Sequence, residues 1–179
     1  MATKPSDKVQ EEPKADSGNS LSDLRKLPVF KGITVDALNK LFEDASKRRV
    51  AGGHYVFREN EPASSLVIFS EGLAVEFKRS GEVDCLLNYY EEPAVLGESS
   101  FLENSYRTTS LYANEDCWVT EIDNDHLQAL MESAPQQYEA LFTNLGRELG
   151  KKVSSINEKL SQAEESMMIR ESSLNWDQY

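Results

Sequence analysis

Between Lys47 and Ile122 the chain breaks into short β-branched and aromatic runs, such as Leu66 to Phe69 and Trp118 to Ile122, separated by Gly, Asn, Glu-Pro and Ser-Gly turn signals. That punctuation predicts many short strands, and hence a roll or barrel. Leu73, Val75 and Phe77 alternate with Ala74, Glu76 and Lys78, which predicts a buried face carrying the first set and a wetter face carrying the second. On either side the period changes. Leu24, Leu27 and Phe30, then Val35, Leu38, Leu41 and Phe42, recur at helical spacing and are interrupted by Pro28 and Gly32, so two short helices should pack on the sheet. A further helix is expected over 123–133, capped by Asp123 or Asn124, with Leu127, Leu130 and Met131 on one side. The class is therefore mainly β with flanking helices (α+β).

The 179 residues suffice for one domain with tails and a substantial core. Residues 1–20 combine Lys, Glu, Asp, Ser and Pro with almost no large apolar side chain, the composition of a disordered N-terminal tail. A net charge of -12 argues against nucleic acid as a partner, because binding a polyanion is built on clustered Lys and Arg. No apolar run is long enough to span a bilayer and the N-terminus lacks a secretory core, so the expectation is a cytoplasmic protein with no membrane partner. Cys85 and Cys117 form no short-spaced pair and are expected to be small buried hydrophobes. Catalysis is not expected. His54 and His126, the only histidines, stand far apart without a ligand cluster, so no metal site is implied. Ser99 and Ser100 have no evident base, a nucleophile elbow would need a second glycine, and no Walker loop is present.

Chemistry concentrates in the run from Leu96 through Gly97, Glu98, Ser99, Ser100 and Phe101 to Arg107, Thr108 and Thr109. Gly97 lets backbone come close to a ligand, a short helix can begin after Glu98, and Arg107 can return to hold an anion bidentately. The Glu98 carboxylate suits vicinal donors such as a ribose hydroxyl, so the pair together describes a sugar phosphate. Further on, no strong breaker follows Pro135. Leu149, Val153, Ile156, Leu160, Ala163 and Met167 alternate steps of four and three, a short heptad seam. The expected organisation is a domain at 21–145, a C-terminal helix at 146–168 that forms a homodimer, and a polar tail at 169–179. Gly146 and Gly150 mark a close helix contact or a hinge. Trp176 and Tyr179 make the tail either a docking peptide or a frayed end.

Gly97-Glu98 followed at this interval by Arg107 and small residues resembles the phosphate-binding cassette of the cyclic nucleotide-binding domain family. Leu24 to Ile33 is similar to that family's entry helix and turn, Val50 to Glu61 to its first strand pair, and Leu66 to Val75 to its strand-turn-strand with a central glycine. The resemblance runs from about Leu21 to the middle of the C-terminal helix. It implies a β-roll, or jelly-roll, with N-terminal helices and a long C-terminal helix that closes over the nucleotide. It also implies that Glu98 accepts the ribose 2'-hydroxyl, that Arg107 pairs with the cyclic phosphate, and that Ser99, Ser100, Thr108 and Thr109 complete the cradle. Thr108 matches a position where some members carry a hydroxyl that meets the guanine amino group, which favours cGMP over cAMP.

Two departures from the family pattern bear on this. Ser99 and Ser100 replace an aliphatic residue and a small one, and no single base cap stands out among Arg147, Lys151, Lys152, Ser154 and Ser155. Regulators of the related type continue into a helix-turn-helix, whereas this chain is expected to stand alone. The resulting expectation is a non-enzymatic regulatory protein, without a cofactor, that binds cAMP or cGMP and signals to a protein partner by movement of its C-terminal helix. The alternative is a degenerate fold that binds no nucleotide and serves as a protein-interaction adaptor.

Overall fold

The structure, a computed structural model, describes residues 21–91 and 93–174. The expected tail at 1–20 and the pair Trp176 and Tyr179 lie outside the described residues. Helix α1 (Leu21–Leu24), a 3-10 turn (Pro28–Phe30) and α2 (Val35–Leu41) lead into the strands. Thr34 starts α2 by accepting the Ala37 amide on its hydroxyl at 3.3 Å. Strands β1 (Ser46–Val50), β2 (Tyr55–Phe57), β3 (Ser65–Glu71), β4 (Ala74–Ser80), β5 (Val83–Tyr90) and β6 (Ala94–Leu96) follow. Helix α3 (Glu98–Leu102) precedes β7 (Ser110–Ala113) and β8 (Cys117–Asp123), and the chain continues through α4 (Asn124–Ser133) and α5 (Pro135–Leu174).

The strands make two four-stranded antiparallel sheets, β1-β8-β3-β6 and β2-β7-β4-β5, which is the expected β-roll with its long C-terminal helix. Strands joined by a short turn do not pair with each other where the chain passes between sheets. Thus β1 pairs with β8 while β2 pairs with β7, so the segment Val50 to Glu61 is a crossing and not the strand pair expected of it. Gly72 makes a second crossing, between β3 and β4. Its φ is +104°, and a Cβ there would stand 2.3 Å from the Asp116 carbonyl oxygen, so no other residue fits without moving the backbone.

Burial follows from the position of β3, which is covered on both faces. Leu66 and Ile68 meet the helical layer, in one cluster with Phe30, Leu38, Leu130 and Leu141. Val67 and Phe69 point between the sheets, in a second cluster with Val50, Phe57, Leu111 and Val119. A strand so placed reads as a continuous apolar run, as Leu66 to Phe69 does. Buried Asn144 on α5 fastens the entry turn, donating to the carbonyls of Val29 at 3.0 Å and Lys31 at 2.8 Å.

Several expectations are corrected here. On β4 the inward face carries Ala74, fully buried, and Glu76, whereas Val75 and Phe77 are half-buried on the other side, Phe77 in edge contact with Tyr55 at 6.1 Å. Aromatic residues on neighbouring strands, not the core, cover that apolar set. Cys117 is buried, which pushes its thiol up to about 11, but Cys85 is exposed on a strand whose residues all face solvent except the last. Helix α5 starts at Pro135, where proline suits a first helical turn, rather than at 146, and it runs through both Gly146 and Gly150. A Cβ at either glycine would meet nothing within 4 Å, so neither marks a close contact within the chain. Residues 169–174 continue the helix and are not tail.

Candidate functional site

Gly97, at φ +70°, turns the chain from β6 into α3, and this places Glu98 at the first position of the helix with its side chain buried. Arg107 comes back from the far side of the loop and is 4% exposed. Its guanidinium donates to the Gly97 carbonyl at 3.1 Å, to the Ser65 carbonyl at 2.8 Å and to the Ser65 hydroxyl at 3.4 Å. It also lies 4.5 Å from the centre of the Phe57 ring, a stacking geometry that favours arginine over lysine. Glycine is favoured opposite it, since φ is +70° and a Cβ at 97 would force the Arg107 guanidinium to shift.

This guanidinium is under-compensated. Nε is buried with no hydrogen-bond partner among the described residues. Burial pushes the pKa of Arg107 below its ordinary value, against weaker pulls from Glu121, Glu61 and Glu98. A buried cation with an orphaned donor is the state that a bound anion would relieve.

Glu98 and Arg107 do not pair with each other. The carboxylate of Glu98 instead takes the ammonium of Lys152 on α5, which also reaches the Val95 carbonyl at 3.4 Å. Of the five helix residues that the sequence leaves open as a cap, Lys152 is therefore the one that closes over the cassette. A cavity of about 190 Å³ lies beneath it, lined by Tyr90, Ala94, Val95, Glu98, Leu145 and Lys152 among others. Small-molecule sites commonly have volumes of ~300 to 1,000 Å³, so this space must widen to admit a nucleotide. A larger open concavity of about 1070 Å³ lies between the entry turn and α5, lined by Arg25, Lys31 and Arg147 among others, but neither Glu98 nor Arg107 borders it.

The rest of the expected cradle divides. Ser100 is buried, and its carbonyl accepts the Ser105 amide at 3.0 Å. Ser99 and Thr108 are exposed, and Thr108 is held at the rim by its carbonyl, which accepts from Lys78 at 2.9 Å. Thr109 faces inward and donates to Glu76 at 2.7 Å. The hydroxyl turned into the roll is thus that of Thr109, not Thr108.

Sequence reasoning missed Glu76 and Tyr90. Tyr90 donates to the other Glu76 oxygen at 2.7 Å, and burial together with the charges of Glu76 and Glu98 raises its pKa. A carboxylate in the middle of a strand whose neighbours two positions away are Ala74 and Lys78 was the available signal. The more apolar set beside it concealed it. Among the described residues no group of His, Cys, Asp and Glu is placed to hold a metal ion, and no helix is long and apolar enough to cross a membrane.

Residues 47–134 match the family model described as cyclic nucleotide-binding domain. No curated protein matches the chain. Among solved structures the fold is similar to the catabolite activator protein of Thermus thermophilus, at 20% identity and a TM-score of 0.66, covering 75% of this chain and 62% of that one. It is similar as well to the N-terminal domain of a transcriptional regulator from Streptomyces coelicolor, at 23% identity and 0.65, covering 72% and 93%. A third is the c-di-GMP responsive global regulator CLP of Xanthomonas campestris, at 21% and 0.62, covering 72% and 63%. The chain thus spans less than two thirds of the Thermus and Xanthomonas proteins and nearly all of the Streptomyces domain.

Proposed function

The chain belongs to the cyclic nucleotide-binding domain family through residues 47–134, and from that premise we propose that it is a non-enzymatic regulatory protein whose ligand is a cyclic nucleotide. The observation that carries the reading is Arg107, a buried guanidinium with an orphaned Nε set against the one glycine that leaves room for it. The cyclic phosphate docks on Arg107 and the adjoining backbone of 97–100, and Glu98 accepts the ribose hydroxyl. Ser100 and Thr109 line the cradle, whereas Ser99 and Thr108 act at its rim.

Ligand entry must displace Lys152 from Glu98, because the ammonium occupies the carboxylate that the ribose needs. Displacement frees α5 at that point, and the helix is the element that reports. Its outer face carries Val153, Ile156, Leu160 and Met167, each more than half exposed, with half-buried Leu149 and exposed Ala163 on the same line. That stripe is the seam of a homodimer, and a protein partner reads its rearrangement. All three structural neighbours are named as activators or regulators, so the expectation that nucleic acid is no partner rests only on the acidity of the chain.

Removing the competitor should tighten binding. A half-exposed pair of this kind contributes on the order of 1 kcal/mol, so Lys152→Ala should raise cyclic nucleotide affinity by about 2- to 10-fold in a calorimetric titration. A loss of affinity would mean that Lys152 is a ligand contact instead of a latch. The whole reading has an inexpensive test, since a ligand at a hundredfold excess over its dissociation constant adds about 2.7 kcal/mol to stability. No rise in melting temperature with millimolar cAMP or cGMP would favour the adaptor reading, which the turn of the Arg107 fork toward backbone carbonyls also supports.

A further inference from the structure

We propose that Glu76 selects the purine, its two carboxylate oxygens taking the adjacent N1–H and 2-amino donors of a guanine. This rests on the cyclic nucleotide reading of the same site. The placement follows from the strands. Thr109 stands two residues beyond Arg107, just ahead of β7, and its hydroxyl donates to Glu76 on β4, the strand paired with β7. Tyr90 links Glu76 to the cavity under Lys152, for its hydroxyl is on Glu76 and its ring borders that cavity beside Glu98. Glu76 is thus joined through Tyr90 to the cavity that Glu98 borders and through Thr109 to the segment that follows Arg107.

The charges give the site a polarity. A carboxylate repels the cyclic phosphate, so the phosphate keeps to the Arg107 end and only a donor-bearing edge can turn toward Glu76. Ordinary wall residues for a base are apolar, and a half-buried carboxylate among them costs stability unless donors satisfy it. Without ligand, Tyr90 and Thr109 supply one donor to each oxygen, both at 2.7 Å. Each oxygen retains a second lone pair, so a guanine edge can add to the pair or replace the hydroxyls. Adenine offers one amino donor next to N1, whose lone pair would face the carboxylate. Guanine offers two donors side by side and meets it bidentately.

The experiment is calorimetric titration of the full chain and of Glu76→Gln with cGMP, cIMP and cAMP. A bidentate pair implies a cGMP preference of about 10- to 100-fold over cAMP in the parent protein, with cIMP, which keeps N1–H but lacks the 2-amino group, between them. Glutamine presents one acceptor and one donor, matching the adenine edge, so the substitution should lose most of that preference or reverse it while the melting temperature changes little. Glu76→Ala, which only removes the group, should bring the three ligands to similar affinity. Binding of cAMP and cGMP with equal strength, or a preference that Glu76→Gln leaves unchanged, overturns the role of Glu76 and leaves the cyclic nucleotide reading standing. Binding of none of the three by folded protein overturns both.

Discussion

Arg107→Ala is expected to reduce cyclic nucleotide affinity by at least about 30-fold, because truncating one side of a buried charge pair typically costs 2–5 kcal/mol. The side chain does three things at once in the structure. It places a positive charge where only 4% of the residue is exposed, it braces the Gly97 turn through a carbonyl bond, and it ties β3 to the cassette through Ser65. Loss of the side chain therefore leaves two inward carbonyl oxygens short of a donor, a penalty that removal of an unpaired buried charge partly offsets. The fold should survive with a modest change in stability, and binding should not. Arg107→Lys should recover only a minor part, since an ammonium can neither fork across two oxygens nor stack on Phe57. Displacement of a fluorescent cyclic nucleotide measures both variants, and retention of affinity within threefold in Arg107→Ala would remove Arg107 from the site.

Gly97→Ala should destabilise the protein by about 2–4 kcal/mol in urea unfolding, the largest stability effect expected of any single methyl group in the cassette. Two causes add. A left-handed conformation, φ +70° at this position, costs an L-residue about 1–2 kcal/mol. The new Cβ would also stand 2.1 Å from the Nη1 of Arg107, so the guanidinium must leave its bonds to Gly97 and Ser65. Bonds to a charged group contribute about 1.5–3 kcal/mol, which hydration of the freed side chain partly restores. Gly81→Ala separates the causes. Gly81 has φ +63° with nothing within 4 Å of a Cβ, so that variant should show the backbone cost alone. Equal destabilisation at the two positions would mean that Arg107 yields without cost.

How much of this was legible in sequence depends on what each signal encodes. Turn residues mark where strands end, and the many short strands, the helical entry and a cap for α4 at Asp123 or Asn124, of which the structure uses Asp123, came from such marks. They do not say which sheet the next strand joins. For that reason Val50 to Glu61 reads only as a strand pair, and its passage between sheets, with β1 in one and β2 in the other, is not visible in sequence. Alternation gave the period of β4 but not the sign of its inward face. Val75 and Phe77 are more apolar than Ala74 and Glu76, yet Tyr55 and its neighbours cover them from outside, and the polar set faces the roll. In α5 the helix runs through Gly146 and Gly150 because helix propensity is a weak prior and the buried Leu141, Asn144 and Leu145 hold the preceding turns.

At the candidate site, the meeting of Gly97 with Arg107 around Glu98 was legible because a glycine turn followed at short range by an arginine can fold back on itself. Their partners were not. Lys152 lies 54 residues from Glu98 and Ser65 lies 42 from Arg107, contacts set by the packing of α5 and β3, which local pattern does not contain. Thr108 and Thr109 are adjacent in the bend before β7, and which of the two hydroxyls turns inward is set by that bend, which residue type does not encode.

The most direct measurement is a calorimetric titration of the nucleotide-free protein with cGMP and cAMP. Saturable binding near one nucleotide per chain is expected, stronger for cGMP, with no heat from 5'-GMP at the same concentration beyond dilution. No heat from either cyclic nucleotide at millimolar concentration, in protein shown to be folded, would contradict it.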